Sequence, residues 1–259
     1  MLARRRLLFA LPALLGGCAT RFFADGEQAR PRLEMQNPGL NPRNGGLSVD
    51  ADVLRPGDIL LSSAEGLNSL GIRLVTLSPV SHASLYVGDG QIAEAVGEGI
   101  RRRSVRDLLA EEMAVVAFRH PLLLPQHLPR MQAFVQETVG QRYNLVGVML
   151  QAPFSLERRL CELPLTPSLV RDICLQGVGA VQLGLGRNDR FFCSQFVLEA
   201  YRRAGLPLTD ADPRLLGPSD LLHMREGDVP SLRSNHALQY VGHLKFELPA
   251  SPQPEPARS

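Results

Sequence analysis

Apolar and polar positions along this chain change period several times, and the changes mark its elements. Gly57-Asp58-Ile59-Leu60-Leu61 predicts a strand entered from a Pro-Gly turn, and Leu70, Leu74 and Leu77 fall on one face of a helix over Asn68–Leu77. Ala83–Val87 and Gln91–Val96 read as strands joined by Gly88-Asp89-Gly90, a strong hairpin signal, and Met113–Phe118 as a further short strand. Leu128–Val139 is amphipathic with Gly140 at its C-cap. Phe192–Ala204 is the clearest helix, with Phe196, Val197, Ala200, Tyr201 and Ala204 on one face and Gly205 ending it. Leu238–Phe246 predicts a closing strand. Residues 145–186 carry three prolines and five glycines among apolar runs. They predict an insertion of two or three short helices that shapes or lids a site. Strands followed by a helix give an α+β architecture, a small antiparallel sheet or barrel packed against helices.

The first residues follow another logic. Arg4-Arg5-Arg6 precede a short apolar run, Leu7–Leu15, which holds Pro12 and cannot cross a bilayer as a helix; Leu15-Gly16-Gly17-Cys18 follows. The order of charge, apolar run, small residues and cysteine is similar to the lipobox of bacterial lipoproteins. That resemblance implies a signal peptide at 1–17, cleavage before Cys18 and a lipid on Cys18. Ala19 stands where an Asp would resemble an inner-membrane retention signal, so the expected location is the outer membrane, facing the periplasm. Residues 18–50 read as the lipidated cysteine with a flexible tether, 51–248 as the folded domain, and 249–259, with four prolines, as a disordered tail.

Composition narrows the partners. With 28 basic against 26 acidic side chains the net charge is +2, and no global field argues for nucleic acid. The membrane is expected as a partner through the lipid anchor. Three cysteines remain after Cys18, so at least one is unpaired in an oxidising compartment. Cys161 and Cys174 are the candidates for a bridge, with two buried thiols as the alternative. Neither cysteines nor histidines show the paired short spacing of a zinc site, so no metal and no cofactor are assigned.

Cys193 begins the best helix. A thiol there meets the positive end of the helix dipole and free backbone N–H groups, which favour the thiolate and can hold an oxyanion. A buried structural cysteine is the bland alternative. His82, at the mouth of a strand, is the candidate base. A three-residue Gly88-Asp89-Gly90 loop would put Ser84 opposite Glu94, so that His82 and Glu94 share one face; a two-residue loop would separate them. Glu94 is then the residue that orients the imidazole, with Glu98 as the fallback. Arg101-Arg102-Arg103 reads as a solvated strand edge, with attraction of an anionic substrate or lipid head group as the sharper alternative.

Arg55-Pro56-Gly57-Asp58-Ile59-Leu60, Ser81-His82-Ala83-Ser84-Leu85-Tyr86-Val87-Gly88, Gly140-Gln141-Arg142-Tyr143-Asn144, Phe192-Cys193-Ser194-Gln195-Phe196-Val197 and Pro218-Ser219-Asp220-Leu221 resemble the circularly permuted papain-like hydrolases. Among these the chain looks like the YiiX/YaeF lipoprotein type, relatives of the NlpC-type cell-wall peptidases and of lecithin retinol acyltransferase. The resemblance covers roughly residues 54–222 and keeps the permuted order, histidine before cysteine. It implies Cys193 as nucleophile, His82 as base and Glu94 as the third polar residue. Tyr143, Ser194 and Gln195 are implied to line the substrate site. Asn144 and Gln195 stand where the family often has Asp and Glu, a departure that touches the polar lining. The implied activity is cleavage of an amide in peptidoglycan peptides. The rivals are a lipid-directed ester or thioester hydrolase or acyltransferase, and a non-catalytic cell-envelope binding lipoprotein.

Overall fold

A computed structural model describes residues 19–23, 32–37, 39–40, 46–64, 79–97, 99–141, 161, 163, 165–167, 169–171, 173–175 and 192–246. The helix expected over Asn68–Leu77, most of the 145–186 insertion and the tail from 249 lie outside these residues.

The architecture is α+β. Strands β3 (Ile59–Ala64), β4 (His82–Gly88), β5 (Gln91–Val96), β6 (Gly99–Ser104), β7 (Glu112–Arg119) and β8 (Gln239–Phe246) form an antiparallel sheet in the order β6-β5-β4-β3-β7-β8. Alternation along the strands sorts their side chains onto two faces. Ile59, Leu61, Ala83, Leu85, Ala93, Val116 and Phe118 join the larger core with helices α2 (Leu128–Thr138) and α3 (Cys193–Arg203). Leu60, Tyr86, Ile92, Val115 and Ala117 form the second core with Val105 and Leu108 of α1 (Val105–Glu111). Alanines at 83, 93 and 95, all without exposed surface, leave room on β4 and β5 for α3 to pack against both strands. The Phe134 ring of α2 stacks on Phe196 of α3, centroids 5.5 Å apart.

Local chemistry sets the ends of these elements. Gly57 has φ +94, and a Cβ there would stand 2.2 Å from Leu123 Cδ2, so the turn into β3 requires glycine. Asp58, with no exposed surface, accepts from the Arg55 backbone N–H and from two nitrogens of Arg119, each at 2.7 Å. Ser104 caps α1 through the Asp107 N–H. Asp220 accepts from the Gly217 N–H at the start of α4 (Pro218–His223). The pattern of the sequence does not announce α1, α4 or β6 as elements of their own.

The β4–β5 hairpin corrects the expected loop. Gly88 pairs with Gln91, so the loop is the two residues Asp89-Gly90, with φ 52 and 67. Two left-handed residues are the signature of a type I′ turn. A register shift between Tyr86 and Gly88 then moves the pairing by one residue, giving Tyr86 opposite Ile92 and Leu85 opposite Ala93. The bulge, not a longer loop, puts His82 and Glu94 on the same face.

The flexible tether at 18–50 is also corrected for its described residues. Thr20–Phe23 (β1) and Arg32–Met35 (β2) form an antiparallel pair. Asn37, Gly39 and Leu40 dock on the body because a buried ion cluster holds their backbone. Arg225 donates to the carbonyls of Leu40 and Gly39, each at 2.7 Å, and to Asp228 at 3.0 Å. Asp228 in turn accepts from the Asn37 N–H and contacts His223. Composition rich in Pro, Asn and Gly signals lack of regular structure, not lack of partners. Arg225→Met leaves a buried carboxylate without its cation and should lower stability by about 3 kcal/mol. The urea unfolding midpoint reads this directly. Arg214→Met, which removes only an exposed pair with Asp212, should leave that midpoint nearly unchanged.

Candidate active site

Three elements converge on His82, the first residue of β4 and 17% exposed. From β5, Glu94 Oε2 lies 2.9 Å from His82 Nε2. From the start of α3, the Cys193 side chain comes within hydrogen-bonding reach of the same ring. Cys193 is buried and unbridged. The first hydrogen bond along α3 runs from Phe196 N–H to the Phe192 carbonyl, and Phe192 offers no side-chain cap. The N–H groups of the opening turn therefore point out of the helix end beside the thiol.

Glu94 has no exposed surface, and its charge is balanced by more than His82. Arg101 Nε donates to Oε1 at 3.0 Å, and Arg103 Nε lies 2.7 Å from the same oxygen. Burial works against ionisation of Glu94. The hydrogen bond and charge of His82, the charge of Arg103 and the hydrogen bond from Arg101 outweigh it and bring the carboxyl down to about 2. Burial likewise works against a charged His82, but hydrogen bonds to Cys193 and Glu94 and their charges raise it to about 10. Two other histidines move the opposite way. Burial, with His236 and His127 nearby, lowers His120 to about 4, and burial and Arg225 lower His243. His82, between the thiol and the carboxylate, is thus held as imidazolium at neutral pH.

The remaining residues of the expected site divide. Ser194 does not line it: its side chain has no exposed surface, and its hydroxyl donates to the Leu216 carbonyl, tying α3 to the loop before α4. Gln195 is half-buried beside Cys193, and its Oε1 is buried without a hydrogen-bond partner among the described residues. Tyr143, Asn144, Glu98 and Cys18 lie outside the described residues. Cys161 and Cys174 are joined in a disulfide with Cα atoms 5.6 Å apart. Among the described residues no three of His, Cys, Asp and Glu gather as metal ligands would.

No family model matches the chain. The chain is 38% identical over 200 residues to the probable lipoprotein peptidase YaeF of Escherichia coli K12, which spans 76% of this chain and 73% of that protein. It belongs to the YaeF-like family. A crystal structure of the metalloprotein YiiX from Escherichia coli O157:H7 aligns over 75% of this chain and 98% of its own, at 17% identity and a TM-score of 0.42.

Sequence reasoning missed the cations of this YaeF-like site. Arg101 and Arg103 read as a solvated edge, yet both turn onto Glu94, while Arg102 between them is exposed. The signal was available: β5 and β6 pair with Val96 opposite Gly99, and strand alternation then puts Arg101 opposite Glu94 and Arg103 on the same face. Glu112, 6% exposed, was also unread. Its Oε1 lies 3.9 Å from Arg103, and burial pushes its carboxyl up against the charges of His82 and Arg103.

The shifts of the central pair fix a dependence on pH. His82 is raised in the folded chain, so its contribution to stability is complete below about 6.5 and is lost as pH rises through about 10. Glu94 is depressed, so its contribution is present above about 4.5 and is lost as pH falls towards about 2. The stability gap between the wild type and His82→Gln should therefore close steadily as pH rises from 6.5 to 10. Chemical denaturation at a series of pH values measures it, and a gap that ignores pH would contradict a charged His82.

Proposed function

We propose that the chain is a lipid-anchored cysteine hydrolase of permuted papain-like type that cleaves an amide bond in cell-wall peptides. One observation carries the reading: the His82 ring bridges a free thiol at a helix N-terminus and a buried, ionised carboxylate. Cys193 Sγ attacks the carbonyl carbon as thiolate, with the proton resident on His82. The opening N–H groups of α3 accept the charge that develops on the carbonyl oxygen. His82 then gives its proton to the leaving amine, which departs and leaves a thioester on Cys193. Water, deprotonated by His82, attacks that thioester and restores the thiol and the acid product. Glu94, held by Arg103 and Arg101, orients the ring and stabilises its charge.

The relative's description as a probable lipoprotein peptidase supports amide cleavage over a lipid-directed reaction, and supports a place in the cell envelope. The lipobox-like Leu15-Gly16-Gly17-Cys18 supports lipid on Cys18, and Ala19 supports the outer membrane facing the periplasm.

At neutral pH, iodoacetamide should alkylate Cys193, and His82→Ala should slow that alkylation by about tenfold or more. Glu94→Gln should slow it less, because the carboxylate acts through the ring. Peptide mapping by mass spectrometry follows the modification at the one position, and a rate indifferent to His82 returns Cys193 to a structural role. Substrate class is decided by incubating sacculus fragments and lipid extracts with the wild type and with Cys193→Ala. New amine ends in the peptides, absent with the variant, are the expected result; acyl release or transfer from lipid would favour the lipid-directed rival. Cys18→Ser should abolish incorporation of labelled lipid precursor, and unchanged labelling would remove the anchor.

A further inference from the structure

The segment closed by the Cys161–Cys174 disulfide turns its apolar side chains outward. Leu165, Leu169, Val170 and Ile173 are 59%, 69%, 54% and 61% exposed, whereas Arg171 is 6% exposed. Helical turns run over 169–171 and 173–175, and Leu169, Val170 and Ile173 project from them to solvent. The cation of the same turns faces inward, where Arg171 Nη1 donates to the Thr20 carbonyl at 3.1 Å. Leu165 N–H donates to Thr20 Oγ1, also at 3.1 Å. Across the β1–β2 pair, Thr20 stands opposite Met35, itself 47% exposed.

Exposed aliphatic surface is thus gathered around Thr20, and two hydrogen bonds and a disulfide keep it there. Burial of apolar surface gives no reason to turn Leu, Val and Ile to water while sequestering an arginine; such a face is ordinarily covered by a partner. The position of Thr20 names the partner. It lies two residues from Cys18, and two extended residues span at most about 7 Å. A lipid on Cys18 therefore brings the bilayer surface close to this face.

We propose that the face formed by Met35, Leu165, Leu169, Val170 and Ile173 is a membrane-seating surface that enters the interfacial region of the bilayer holding the anchor. The proposal rests on acylation of Cys18. The lipid alone is a swivel; a second contact beside it fixes which side of the domain faces the membrane.

The chain contains no Trp, so a single introduced Trp reports its own surroundings. The acylated full-length chain carrying Ile173→Trp is placed in vesicles of phosphatidylethanolamine and phosphatidylglycerol, with and without brominated acyl chains. Leu124→Trp, at a position 50% exposed in the loop before α2, is the comparison. The Ile173→Trp chain should show blue-shifted emission and lose roughly half of it to brominated lipid, while Leu124→Trp is unaffected. If mass spectrometry shows lipid on Cys18 and the chain floats with the vesicles, but neither Trp is quenched, the seating surface is wrong and the anchor stands. Equal quenching at both positions also overturns it. Blue-shifted but unquenched emission from the Ile173→Trp chain would mean that protein covers the face, and overturns it too. An unacylated Cys18 removes the anchor, and the proposal falls with it.

Discussion

The Glu94 carboxylate has no exposed surface, and an ionised group in that position costs several kcal/mol unless cations and hydrogen bonds replace its water. Most of the site is the geometry of that replacement. Arg101 and Arg103 reach Glu94 because β5 and β6 pair in a register that places Arg101 opposite it. His82 reaches it because the bulge in β4 shifts the pairing with β5 by one residue. The helix α3, which Cys193 opens, lies close to β4 and β5 because the alanines on those strands make room for it. Loss of any of these would leave a buried charge short of a partner, so the electrostatics of the site also select the register of the sheet.

The strands and the two long helices were legible because each has a period that matches its geometry: alternation in β4 and β5, a one-sided apolar stripe in α3, glycines at helix ends. The bulge was not legible. Gly88-Asp89-Gly90 is compatible with a two- or a three-residue loop, and the choice depends on how Val87 and Gly88 sit against the partner strand, which local pattern does not encode. The arginines were misread for a related reason. A triple of like charges looks solvated when counted along the chain, but strand alternation sends its outer members inward to a buried carboxylate and its middle one to water. Ser194 shows the converse: the Phe192–Val197 motif implies a place for it at the site, whereas one step around the helix from Cys193 turns its hydroxyl into the core.

The segments that carry the family resemblance do different physical work. Ser81–Gly88 and Phe192–Val197 supply the histidine and cysteine. Arg55–Leu60 and Pro218–Leu221 supply a turn that demands glycine, a buried Asp58–Arg119 pair and a helix cap. Gly140-Gln141 ties the end of α2 to β6, through Gly140 N–H to the Ile100 carbonyl and Ile100 N–H to the Gln141 carbonyl. A short motif in this fold is thus as often a device for holding the two strands of the site in place as a member of the site itself.

The docked N-terminal segment changes what an anchor at Cys18 would permit. A free chain of the length between Cys18 and the domain would let the body wander about 30 Å from its point of attachment. With residue 19 buried against the protein and Asn37, Gly39 and Leu40 clasped by Arg225 and Asp228, that freedom is withdrawn. The accessible volume shrinks to a shell one molecule thick. An acylated chain would then sample only those substrates that approach the membrane themselves, and its encounters would be governed by diffusion in two dimensions along the surface.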